Sequence, residues 1–436
     1  MRIMTESPVQ EDKLKEAIEL LDRLLSVNAR RPGEAARLPA VIRVLESLEP
    51  AGGMDFPVFP ASYAGTGDND PPVYDLSGIV YGLVQETIRG KGKTTVQRTQ
   101  IISAERCALD SPQSQANRME EAFLDDPNLR SLVPQATVTI PRSGEKKGEE
   151  SVLRLPHRVA DFRVRLSDKK DDVKAAISAF ANGDVLKLLK LMPTSIVFGF
   201  WDSRADESQH KHARILLSRI DAFDVVPCRR HALYSGPYSA DEFAKAVLDK
   251  PAAEKSDQDK MAERGYTNAP TEGLGGVLVK GKIERLALVS LTDIARLSCR
   301  EEDNKTDVEK TDAARRYLFA LAALAEAYPR STGSHRLRSG CELLTLSRTV
   351  ELRGGDETYT EAEALKKLYE DRRMLIAIAK QAKGILEIPD QTGPFVLTKE
   401  SLREDFGVAP PTGATPPPAN PAEGGASKPA RRPKKA

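Results

Sequence analysis

Cysteine is scarce, with four residues at 107, 228, 299 and 341 and no pair spaced as CxxC. A disulfide framework or a structural zinc site needs paired thiols, so neither is expected, and reduced thiols of a cytoplasmic protein are the default. The five histidines fall in neither zinc-finger nor HExxH spacing. His210 and His212 would share one face of an extended segment, but no third ligand accompanies them, so no metal or cofactor is expected. The Met1 region lacks an apolar signal segment, and no apolar run is long enough to cross a bilayer, which argues against a membrane partner. Charge of one sign is lacking as well: 65 Lys and Arg face 64 Asp and Glu, for a net charge of +1. A polyanion would have to be held by a local basic surface rather than by a bulk field.

What is present is a chain of 436 residues, enough for one large core or two modest ones. The stretch Leu188–Arg204, LLKLMPTSIVFGFWDSR, stands out. Thr194 to Trp201 is apolar on both alternating faces, which predicts a strand buried from both sides and central to a sheet. Trp201, the one tryptophan, and Asp202 and Arg204 would then lie where the strand emerges. Such an end is either a core strand closing in a polar turn or a ring, a carboxylate and a guanidinium offered to a ligand.

Before this stretch, Leu14, Ile18, Leu21 and Leu25 form the apolar stripe of a helix over 11–28, and a second helical patch is predicted around Leu38 to Leu48. Together these make an N-terminal helical extension over 1–53. Residues 54–74 are rich in Pro, Gly and Asp, as in an ordered loop, and Tyr74 to Val84 is extended. Gly92-Lys93-Thr94 matches half of a phosphate-binding loop, but Thr87 stands where its first glycine belongs, so nucleotide hydrolysis is not expected. Arg98 and Arg106 follow. Ser111 and Pro112 then signal a helix start, with Ala116, Met119 and Phe123 as its apolar stripe and Ser114, Asn117 and Arg118 on a polar face. That face suits a contact surface or hydrogen bonds to nearby loop backbone.

Further on, 141–152 is a charged hairpin or excursion, 171–192 is helical, and 211–226, with Arg214 and Arg219, is ambiguous between helix and strand. Residues 241–265 form a polar, mostly helical insertion, and Val279 to Ser290 form a strand from which Arg285 can reach an exposed sheet surface. Thr311 to Tyr328 is a helix, and Thr360 with Glu363 makes a capping box for another through about Ala382. Residues 410–436 form a disordered Pro/Ala-rich basic tail, leaving 54–400 as the elaborated body of an α+β protein.

In order along the chain, DSPQSQANRMEEAF (110–123), LPHRVADF (155–162), PTSIVFGFWDSR (193–204), VKGKIERLAL (279–288), ARRYLFALAALAEA (314–327) and LRSGCELL (337–344) resemble one family. This is the backbone subunit of type I CRISPR surveillance complexes, subtype I-G (formerly I-U), in the GSU-type branch of the Cas-seven superfamily. The resemblance covers roughly residues 54 to 346, with unrecognised intervals. It implies an RNA-recognition-motif-like (ferredoxin-like) palm with finger and thumb insertions. Copies of such a subunit polymerise along a guide RNA (crRNA), display it for pairing with target DNA, and join the backbone-end/RNA-processing and large subunits. Arginines would touch phosphate and ribose while base pairing carries the sequence.

Carried onto this sequence, the resemblance makes Ser114, Gln115, Asn117 and Arg118 a guide-facing surface and His157 with Arg158 a second contact. Trp201 to Arg204 would support the palm or touch the backbone, with core packing the expected place for the Trp201 ring. Arg98, Arg106, Arg214 and Arg285 complete the expected RNA contacts, and no catalytic role is implied. Two rivals remain at this level: a metal-dependent ribonuclease using Asp161, Asp202 or Asp221 as carboxylate ligands, and a protein-only assembly scaffold.

Overall fold

The computed structural model describes residues 9–26, 38–65, 72–89, 93–141, 147–203, 210–234, 237–266, 269–355 and 359–407. Its frame is an eight-stranded sheet made of β1 (Val41–Pro50), β2 (Leu76–Arg89), β3 (Lys93–Asp110), β4 (Leu216–Tyr234), β5 (Ala269–Val279), β6 (Ile283–Ser290), β7 (His335–Arg338) and β8 (Cys341–Arg353). Across the sheet the order is β7-β8-β1-β6-β4-β3-β2, with β5 also paired to β4, and every pairing is antiparallel. The main helices are α1 (Glu11–Leu25), α2 (Pro112–Glu120), α3 (Val308–Ala327) and α4 (Arg372–Ile385). A mixed α/β architecture is thus observed.

β1 corrects the expected helix at Leu38 to Leu48. Its burial alternates strictly, with Ile42, Val44, Glu46 and Leu48 inward. The same residues also satisfy a helical stripe, but β-branched Val41, Ile42 and Val44 pack well between two neighbouring strands, and pairing with β6 and β8 settles the period at two. The strand expected over Thr194 to Trp201 is likewise replaced, by a short helix Thr194–Phe198 and a three-residue strand Phe200–Asp202 paired with His210–His212. A continuous apolar run does not distinguish a buried helix from a buried strand. Here Pro193 starts the turn, and Gly199, at φ +76°, ends it in a conformation that L side chains avoid.

The ambiguous 211–226 segment belongs to the 19-residue β4. The helix expected from Thr360 to Ala382 is two, Ala362–Glu370 and α4, divided at Asp371. Asp371 caps the second through the Met374 amide, while the first begins after Glu361 without a side-chain cap. Other expectations hold. The Ser111 hydroxyl accepts from the Ser114 amide, Pro112 opens α2, and Ala116, Met119 and Phe123 are buried. The insertion carries helices Ala240–Val247 and Lys255–Glu263. The tail from 410 lies outside the described residues.

The covered face of the sheet is layered. Ile42, Val44, Ala287, Val289 and Leu216 join the large core formed with α1, α3 and α4. Leu48, Ile283, Ile220, Ala222, Cys107 and Leu109 form a second cluster with Val58 and Tyr74. Between them runs a polar row: Glu46 is in register with Arg348 of β8 on one side and Arg285 of β6 on the other. Beyond Ala104 on β3 and Val225 on β4, each strand pairs only with its own hairpin partner, giving two long two-stranded arms.

Candidate functional site

Opposite charges placed directly across neighbouring strands attract, and here burial removes the competing water. Arg285, with no exposed surface, places Nη1 2.7 Å from Glu326 Oε1 and 3.3 Å from Glu46 Oε1. Arg330 Nη1 meets the same two oxygens at 3.0 and 2.7 Å, and Arg348 Nη2 lies 3.2 Å from Glu326 Oε2. His335 Nε2 is 3.0 Å from Glu46 Oε2. Burial alone would raise the Glu46 carboxyl, but His335, Arg285 and Arg330 outweigh it and hold it at about 2. Glu326 is also lowered, burial being overcome by Arg285, Arg330 and Arg348. The expected reach of Arg285 to an exposed sheet surface is therefore corrected: odd-numbered positions of β6 face inward, from Ile283 through Val289.

This belt continues through hydrogen bonds toward the surface. Arg285 Nε donates to Ser218 Oγ at 3.0 Å and to Gln115 Oε1 at 3.2 Å, and Gln115 Nε2 donates to Asp110 Oδ2 at 2.6 Å. Gln115 is thus a buried link in a chain and not part of an outward polar face. Buried Asp110 also holds Arg118 Nε at 3.1 Å and Arg338 Nη2 at 3.3 Å. Arg118 Nη2 reaches Leu337 O at 2.6 Å, and Arg338 Nη1 reaches Leu109 O at 2.9 Å and Phe59 O at 3.2 Å. These half-exposed arginines fasten α2, the end of β3 and the β7–β8 turn to one another. On the outer side of that turn a concavity of about 210 Å³ is lined by Phe56, Arg336, Arg338 and Glu342 among others. Asn117 is exposed on α2 and Ser114 is half-buried.

A second cluster lies at the other end of α2. Arg158 is only 4% exposed. Its Nε lies 3.0 Å from Glu120 Oε2, and its guanidinium sits 5.1 Å from the Phe198 ring centre. Its backbone is left-handed, at φ +54°. Full burial raises the Glu120 carboxyl against the pull of Arg158. Arg214 is half-buried beside Arg158, and its guanidinium is lowered by burial and by that like charge. Arg158 is therefore an internal cross-link between α2 and the turn at Gly199, where the family resemblance implied a contact with RNA.

His157 is exposed. Trp201 is 58% exposed, with Lys211 Nζ 5.2 Å from its ring centre, which corrects the expectation of core packing. Arg98 is exposed on the arm of β2 and β3, while Arg106, paired with Phe223 of β4 in the main sheet, donates to Ser77 Oγ at 3.1 Å. Arg204 lies outside the described residues.

The three candidate metal-binding carboxylates are each beside an arginine: Asp161 with Arg163 at 2.7 Å, Asp202 with Arg165 at 3.4 Å and Asp221 with Arg219 at 2.5 Å. Among the described residues, no three His, Cys, Asp or Glu side chains are grouped to hold a metal ion. Sequence reasoning missed Glu46, Glu326, Arg348 and Asp110. The available signal was a charge on the inward parity of an alternating strand, Glu46 after Ile42 and Val44, and Arg285 before Ala287 and Val289.

Residues 42–227, less than half of the chain, match the family described as CRISPR-associated protein GSU0053. The match runs from β1 into β4 and takes in α2, Arg158 and the Gly199 turn. It supports a CRISPR-associated protein with a role in a CRISPR system. No curated protein matches the chain. No helix among the described residues is long and apolar enough to cross a membrane.

Proposed function

We propose that the chain is a non-catalytic, guide-RNA-binding backbone subunit of a type I CRISPR interference complex, of subtype I-G. It polymerises along crRNA with further copies of itself and presents the guide for pairing with target DNA, beside the backbone-end/RNA-processing and large subunits. The observation that carries this reading is the match of residues 42–227 to a CRISPR-associated family. The connectivity supports the palm: β1, α2, β4, β6, α3 and β8 occur in that order along the chain, with β2, β3, β5 and β7 inserted between them, while the four strands lie in the order β8-β1-β6-β4. Two antiparallel strand pairs with a helix on each crossover is the arrangement expected of an RNA-recognition-type domain. The two arms are long excursions from that palm, a form compatible with finger and thumb insertions. Engagement of Asp161, Asp202 and Asp221 by arginines favours a structural role for these carboxylates over metal ligation.

Co-expression with a repeat–spacer transcript and the partner subunits, followed by native mass spectrometry, tests the proposal. Several copies on one protected RNA are expected. Monomer without protected RNA overturns it. RNA cleavage that requires Mg²⁺ or Mn²⁺ and is abolished by Asp202→Ala would establish the ribonuclease instead.

A further inference from the structure

We propose that the concavity between the turn after β1 and the β7–β8 hairpin holds a single unpaired nucleotide, its base laid on Phe56 and its phosphate on Arg336. The inference rests on the RNA-binding reading and gives it a subsite. The space, about 210 Å³, suits one base rather than a helix or a peptide strand. Phe56 is 46% exposed and lines the concavity. Its ring lies over Gly52, where an added Cβ would meet Phe56 Cγ at 2.7 Å. The glycine thus lets the ring seat against the main chain, making a flat apolar platform, and every base has a face that stacks on such a platform.

The charges around the ring fit a nucleotide better than they fit an acidic peptide. Among the described residues the exposed Arg336 guanidinium has no ion-pair or hydrogen-bond partner, while its own carbonyl and that of Leu337 are held by Arg118. Its backbone is thereby fixed with its side chain left for a ligand. Arg338, tied to Asp110 and to the Phe59 carbonyl, forms a second and immobile cationic wall. Glu342 adds a carboxylate, one oxygen of which accepts from Ser334 Oγ at 2.8 Å. A carboxylate accepts readily from the exocyclic amino group of a base, whereas it repels the carboxylates of an acidic peptide. A platform, a free guanidinium and a nearby acceptor together match the three parts of a nucleotide that proteins grip in single strands.

The test is binding of a short fluorescein-labelled single-stranded RNA to the full chain, read by anisotropy across a salt series. Phe56→Ala should weaken binding by about 5- to 150-fold, the measured range for loss of one base–aromatic stack. Gly52→Ala, which keeps every charge but displaces the ring, should weaken it in the same direction, and Phe56→Trp should preserve it. Arg336→Gln should reduce the salt slope by about 0.7, one phosphate contact on a single strand. Thiouridine-substituted RNA should crosslink to the peptide containing Phe56. RNA bound equally by wild type and Phe56→Ala, with no such crosslink, overturns the subsite and leaves the RNA-binding reading standing. Failure of wild type to bind any RNA removes both. An acidic peptide that occupies the concavity while RNA does not would assign it to a protein partner and overturn the proposal.

Discussion

Replacing Arg285 by Met asks whether the polar belt holds the sheet and α3 together. The guanidinium has no exposed surface and touches Glu326, Glu46, Ser218 and Gln115, so the substitution leaves two inward carboxylates short of a counter-charge and two hydrogen-bonding side chains short of a donor. Removing one partner of a buried pair costs about 3–5 kcal/mol, because the remaining charge stays desolvated. Arg330 and Arg348 still face both glutamates, which places the expectation at the lower end, roughly 3 kcal/mol. The natural assay is hydrogen exchange, since local opening is resolved element by element in a chain too large for a single two-state ΔG. Amides of β1, β6 and α3 should exchange roughly 150-fold faster, the equivalent of 3 kcal/mol. The helices Ala240–Val247 and Lys255–Glu263, remote along the β4–β5 arm, should not change. Adding Glu326→Gln should recover part of the loss, since one of the two carboxylates left to share Arg330 and Arg348 is then removed. A change in β1 and α3 below about threefold would refute the claim that the belt is a stabilising element.

The remaining expectations use simpler measurements. Glu46 sits at about 2 in the folded chain against an ordinary 4.5, so its contribution is complete above pH 4.5 and is lost as pH falls toward 2. Acid titration should show roughly 3 kcal/mol leaving across that window, and a Glu46→Gln variant should lack that portion of the slope. Burial pushes the Cys107 and Cys299 thiols up to about 12 and Cys341 to about 11, whereas Cys228 is only half-buried. A thiol reagent at pH 8 should therefore label Cys228 first and the other three only after denaturation. The single tryptophan is 58% exposed, so native fluorescence should be red-shifted and readily quenched by iodide; a blue-shifted, protected emission would place the ring in the core after all.

How much of this was legible depended on whether the deciding contact is local. The start of α2 was readable because Ser111 and Pro112 act on their own backbone within one turn, and α3 because it is rich in the strong helix formers Ala and Leu. At β1, and again at 194–201, two periods fit the same residues, so the choice fell to strand partners more than two hundred residues away in one case and to Pro193 and Gly199 in the other. The sequence held that second signal, but the apolar run outweighed it. The belt was the least legible part. Glu46, Arg285, Glu326 and Arg348 each look like a solvated charge in isolation, and only the strand register makes Glu46 the neighbour of both Arg285 and Arg348.

The same network accounts for the division of labour among the motif residues. Arg285, Gln115, Asp110, Arg118 and Arg338 form one hydrogen-bonded path from the centre of the covered face to the rim of the concavity. Residues on such a path are constrained by geometry and charge at once, and all five lie within the segments that carry the family resemblance. Their guanidiniums are consumed in holding backbone carbonyls and carboxylates in place. On the proposed nucleotide subsite, the side chains left to stack on a base and pair with a phosphate at this rim are Phe56 and Arg336, which lie outside the recognised segments. On that proposal the path residues set the position of a rigid wall, and the contact made by Phe56 and Arg336 depends on that wall being fixed.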